Sequence, residues 1–186
     1  MKKTLLLAGV ASVIAFGASA AEYHFPKLEP YMGADYVYSY AKFGRSAGAL
    51  KKSYHSGAVN MGARMYDNLG LEAFFQMSGQ RKNNRPEGTY KGEFLAYGMD
   101  LYGYAPIMCS NFNLLGSLGL ANYRFTFKYG DASSKHQNRI GYRAGVGIQY
   151  DFTEHLAARV MGRYSYIGMN RVNNLKEVTA GLRYTF

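Results

Sequence analysis

Tyr142-Arg143-Ala144-Gly145-Val146-Gly147-Ile148-Gln149-Tyr150-Asp151-Phe152 alternates without a break. Tyr, Ala, Val, Ile, Tyr and Phe take one set of positions, and Arg, Gly, Gly, Gln and Asp take the other. A period of two marks an extended strand, whose successive side chains point to opposite faces. A soluble sheet or barrel buries its large apolar row and exposes its charges. Here the second row is Gly beside Arg and Asp, which fits the cramped interior of a narrow barrel. The apolar row is therefore expected to face lipid.

The same pattern, about ten residues and then a break, fills eight segments from Tyr31 onward. Met32, Ala34, Tyr36, Tyr38 and Tyr40 oppose Gly33, Asp35, Val37 and Ser39. Val59, Met61, Ala63 and Met65 oppose Asn60, Gly62 and Arg64. Leu69, Leu71, Ala73, Phe75 and Met77 oppose Gly70, Glu72, Gln76 and Ser78, with Phe74 breaking the polar side. Leu95, Tyr97, Met99 and Leu101 oppose Ala96, Gly98 and Asp100. Phe112 to Phe127 is apolar on both faces; Leu114, Leu118 and Leu120 are assigned outward because Ser117, Gly119 and Ala121 suit a narrow interior. After the opening stretch come Leu156, Ala158, Val160, Tyr164 and Tyr166 against Arg159, Met161, Arg163 and Ser165. Last are Val178, Ala180, Leu182, Tyr184 and Phe186 against Glu177, Thr179, Gly181, Arg183 and Thr185. The expected fold is all-β, an eight-stranded antiparallel up-and-down transmembrane barrel over residues 31–186.

Connection lengths alternate as such a barrel requires, long outside and short at the periplasmic end. Lys42 to Ser53, Gly79 to Gly92, Lys128 to Arg139 and Gly168 to Asn174 are the longer links. Asp67-Asn68, Pro106 to Asn111 and Thr153-Glu154-His155 are the shorter ones. Upstream, Lys2 and Lys3, an apolar run from Leu5 to Phe16 and Ala18-Ser19-Ala20 have the three regions of a secretory signal peptide, so residues 1–20 are expected to be cleaved. Residues 21–30 then form a periplasmic lead-in.

Composition narrows the remaining classes. The 186 residues suffice for one domain, and 18 Tyr and 22 Gly with four Pro favour strands over a helical bundle. Cys109 stands alone, which excludes an internal disulfide scaffold. His24, His55, His136 and His155 lie apart without metal-ligand spacing, and no Gly-rich turn opens a helix. No metal, cofactor or nucleic-acid partner is expected.

The ending Thr179-Ala180-Gly181-Leu182-Arg183-Tyr184-Thr185-Phe186 resembles the C-terminal assembly signal of outer-membrane proteins, carried by Gly181, Tyr184 and Phe186. With the leader and the eight strands, the chain resembles the outer-membrane beta-barrel domain family, the small porin-like and opacity-like surface proteins related to the OmpA transmembrane domain. That resemblance implies insertion by the outer-membrane assembly machinery and a structural, adhesive or surface-exposed role without a shared catalytic residue.

The formal charge of +10 is concentrated on the expected outer loops. Lys42, Arg45, Lys51 and Lys52 lie in the first, Arg81, Lys82, Arg85 and Lys91 in the second, and Lys128, Lys135 and Arg139 in the third. Such a rim is expected to contact lipopolysaccharide phosphates and sugar carboxylates, with host or cell-surface polysaccharide as a further partner. Inside, Arg64, Arg143, Arg159, Arg163 and Arg183 face Asp35, Glu72, Asp100, Asp151 and Glu177 and are expected to close the lumen. A turn centred on Asp67-Asn68 is expected to set Arg64 opposite Glu72. Two alternatives remain: a small-conductance porin, or a lipid-modifying enzyme in which His55 activates Ser53 on the same strand face.

Overall fold

The computed structural model describes residues 28–43, 53–65, 68–79, 81–85, 88–107, 111–129, 135–168 and 172–186. Its elements are β1 (Leu28–Phe43), β2 (Ser53–Met65), β3 (Leu69–Ser78), β4 (Arg81–Arg85), β5 (Gly88–Pro106), β6 (Phe112–Tyr129), β7 (Lys135–Asp151), β8 (Leu156–Tyr166) and β9 (Val172–Thr185). Neighbours run β3-β2-β1-β9-β8-β7-β6-β5-β4, and β3 also pairs with β5. That last pairing closes the sheet into a barrel.

β3 and β4 are one stave. β3 pairs with β5 up to Met77↔Leu95 and β4 resumes at Arg81↔Gly92, with one residue more on its own side, the mark of a bulge. The result is the expected eight-stranded antiparallel barrel.

Both faces follow the period-two reading. Leu118 is 67 % exposed and Val146 70 %, whereas Glu72, Asp100 and Arg159 are at most 2 % exposed. Left in water, each large apolar side chain of this belt would forgo roughly 1.5–3 kcal/mol of burial. Soluble monomers rarely carry so extensive an apolar surface, and hydrocarbon is the solvent that removes the penalty.

Several expected boundaries shift. β1 begins at Leu28, pairing with Met65, instead of at Tyr31. The expected loop Gly79 to Gly92 holds β4 and the start of β5. β6 continues to Tyr129, β7 starts at Lys135 and β9 at Val172, which shortens the third and fourth loops. The reason lies in a change of solvent along the strands. At the outer end the interior is apolar, packed by Tyr54, Phe74, Phe94, Tyr123, Phe125, Ile167, Val172 and Leu175. Lys42, Arg124, Asn173 and Lys176 are exposed on the outside there. From the headgroup level outward the outer face meets polar groups and water, so the alternation inverts to apolar-in and polar-out. The apolar-out period therefore ends at that level.

Candidate functional site

Two regions carry the unusual chemistry: a polar interior at mid-barrel and a basic wall at the outer end. Inside, Arg159 on β8 is the hub. Its Nη2 donates to Asp35 Oδ2 at 2.6 Å and to Glu72 Oε1 at 3.0 Å, its Nε to Asp35 Oδ1 at 3.2 Å, and its Nη1 to Glu72 Oε2 at 2.8 Å. Arg183 Nη2 reaches Glu72 Oε2 at 2.7 Å, while its Nη1 donates to the Tyr104 hydroxyl at 2.7 Å and to Gln149 Oε1 at 3.2 Å. Tyr31 and Tyr102 hydroxyls also donate to Glu72, and Asn60 Nδ2 donates to Asp35. Burying such charges is tolerable only because the guanidinium forks meet carboxylates in good geometry.

Backbone spacing makes room for this cluster. Gly181 lies opposite both Asp35 and Arg159, and a Cβ there would collide with the Asp35 carboxylate. Gly119, between Asp100 and Arg143 in the cross-strand register, plays the same part for Asp100.

A second charged layer lies toward the outer end. Arg143 Nε is 3.2 Å from Asp100 Oδ1, and its guanidinium stacks 3.9 Å above the Phe74 ring. Glu177 Oε1 accepts from Ser39 Oγ and Gln76 Nε2, each at 2.8 Å. Arg163 Nη2 donates to the Tyr102 hydroxyl at 2.7 Å, although its cross-strand partner is Glu177. Toward the periplasmic end, half-buried Asp151 accepts from Asn113 and Gln149 at 2.7 Å each.

The expected pairing of Arg64 with Glu72 is corrected. Met65 pairs with Leu69, and Arg64 stands opposite Gly70 while Glu72 stands opposite Gly62. Arg64 stacks 4.5 Å above the Tyr104 ring, and Glu72 serves Arg159 and Arg183.

At the outer wall, Lys42 and Arg139 are exposed. Arg45, Lys51 and Lys52 lie outside the described residues, as do residues 1–27 and Cys109. Arg81, Lys82 and Arg85 fall on β4, Lys91 on β5, Lys128 on β6 and Lys135 on β7. The register makes Lys82, Lys91 and Lys128 successive cross-strand partners, and sets Lys135 opposite Phe127. Sequence reading missed exposed Lys176 and Arg124. Lys176 extends the outward row Val178, Ala180, Leu182 by one step, and that parity was the available signal.

Ser53 and His55 occupy the outer part of β2, but His55 Nδ1 is engaged by the Tyr36 hydroxyl and its ring meets Tyr38 edge-on at 5.2 Å. At the opposite end, Phe186 N–H donates to the Pro30 carbonyl at 3.0 Å. Tyr184 stacks on His155 and meets the Phe186 ring edge-on at 5.4 Å.

Comparison with known proteins agrees with this architecture. Neisserial surface protein A is similar at a TM-score of 0.67 and 22 % identity, over 84 % of this chain and 97 % of that one. Ail, the attachment invasion locus protein of Yersinia pestis, gives 0.59 and 15 %, over 86 % and 97 %. OprG, an outer membrane protein of Pseudomonas aeruginosa, gives 0.57 and 18 %, over 88 % and 97 %. At such identities the likeness shows the fold alone. No curated protein sequence matches the chain. The family profile described as outer membrane protein beta-barrel domain matches residues 8–186, and the chain belongs to that family of the outer membrane.

Proposed function

We propose that this barrel is a closed, surface-exposed outer-membrane protein whose basic outer wall binds anionic polymers: lipopolysaccharide phosphates and sugar carboxylates first, host or cell-surface polysaccharide second. The observation that carries the reading is the succession Lys82, Lys91 and Lys128 across three neighbouring strands. Like charges directly opposite one another destabilise a sheet. A bound polyanion offsets that repulsion with charge-assisted contacts. A protein of similar fold, Yersinia pestis Ail, has been crystallised with the heparin analogue sucrose octasulfate, which lends this ligand class support.

Closure of the lumen rests on the Asp35, Glu72, Arg159 and Arg183 cluster with the apolar packing above it. Residues 1–20 act in this reading as a cleaved leader, and the ending at Gly181, Tyr184 and Phe186 as the address read by the assembly machinery. The non-enzymatic reading is favoured because His55 is drawn into contacts with Tyr36 and Tyr38.

The test is binding of the refolded protein to heparin and to lipopolysaccharide at rising salt. Affinity should fall steeply with salt, and Lys82→Gln, Lys91→Gln and Lys128→Gln together should weaken it. Binding indifferent to both salt and the triple substitution would overturn the reading.

A further inference from the structure

The outward surface below those lysines carries a separate feature on the seam between the first and last strands. Lys176 on β9 is cross-strand partner to Tyr40 on one side and Tyr164 on the other, and all three are exposed. Lys42, also exposed, is the diagonal neighbour of Lys176, at a sheet spacing of roughly 7–8 Å. Asn174, the direct cross-strand partner of Lys42, is buried.

From Lys176 an apolar groove of about 740 Å³ crosses the wall obliquely toward the periplasmic end. It exists because Gly162, Gly116 and Gly103 take outward positions where neighbouring strands carry Val146 and Leu118. A Cβ at Gly103 or Gly116 would meet nothing within 4 Å.

We propose that this seam binds one phosphorylated, acylated lipid of the outer leaflet, its phosphate on Lys176 and Lys42 and one acyl chain in the groove. Hydrocarbon alone would wet the groove without selectivity, and a lysine alone would attract any anion. Their juxtaposition selects a molecule that has both parts. A lysine on the lipid face costs little near the interface, and a phosphate partner turns it into a charge-assisted contact. Tyr40 and Tyr164 place the two cations at the level of an aromatic girdle, where headgroups lie. The site shares Lys42 with the outer wall but is built on Lys176 and the groove, which the wall does not use.

The experiment is native mass spectrometry of the refolded protein in detergent, titrated with lipid A, with its deacylated phosphodisaccharide and with phosphatidylcholine. At a salt concentration that releases ligands held at the wall by charge alone, one lipid A should be retained, and neither comparison compound. Lys42→Gln with Lys176→Gln should weaken retention by about tenfold, the loss expected for a charge-assisted contact. Gly103→Leu with Gly116→Leu should weaken it as well, by filling the groove; if that variant fails to fold, Lys176→Glu replaces it. The Lys82, Lys91 and Lys128 triple variant should keep its lipid A, which separates this site from the wall above. Retention unchanged by the lysine substitutions, or equal binding of the deacylated compound, would overturn the proposal.

Discussion

Gly181 lies directly against the Asp35 carboxylate, across the ladder that joins the last strand to the first. The same glycine that belongs to the C-terminal ending thus leaves the space in which Asp35 meets Arg159 at 2.6 Å. Gly181→Ala should therefore push the carboxylate off its guanidinium and lower stability by about 1–3 kcal/mol, as overpacking does. Urea titration followed by the unboiled gel shift reads this directly, and an unchanged midpoint would contradict the close packing.

Glu72→Gln removes the carboxylate shared by Arg159 and Arg183 while keeping its shape. Two buried guanidinium groups lose a counter-charge, and the expected cost is roughly 3–5 kcal/mol, less where water enters. Asp151→Asn, at a half-buried site held by neutral amides, serves as the control and should move the same urea midpoint far less.

Truncations should report the inverted faces. Phe125 is 1 % exposed inside the outer end and Leu118 is 67 % exposed on the belt. Phe125→Ala should cost about 3–5 kcal/mol, the range for a core aromatic. Leu118→Ala in detergent should cost less, since detergent fills the vacated space and only the transfer term is lost, with no cavity left behind. Equal losses would reject the assignment of apolar core above and lipid face below.

Deleting Phe186 removes a backbone donor to the Pro30 carbonyl and a ring packed on Tyr184. The folded, heat-modifiable fraction recovered from the outer membrane should fall. A yield equal to that of the intact chain would argue that the last strand closes the barrel without its terminal ring.

Planar bilayers test the closed lumen. Eight strands enclose an interior that side chains fill, and here Arg159 alone spans carboxylates from β1 and β3. Negligible or rare small conductance is expected from the intact monomer. A steady large conductance would mean that the ion-paired cluster opens as a unit.

The number of staves, their antiparallel order and the identity of the lipid face were legible in the amino-acid sequence. Each depends on a local period of two read one strand at a time, and the Tyr142 to Phe152 alternation carries it most clearly. Even the Gly beside Arg and Asp was visible as a narrow interior. Tertiary structure alone decided which charges meet. The register between β2 and β3 sets Arg64 opposite Gly70, two residues short of Glu72, and the Glu72 carboxylate reaches Arg159 and Arg183 instead. Stagger around a closed barrel is a sum over all the ladders, and no single segment encodes it. Only the fold, likewise, showed where the solvent changes. Phe125 and Leu175 lie on the same inward rows as the belt's charges, but at their level the inward row is apolar and the outward row polar, because above the bilayer water takes the place of lipid.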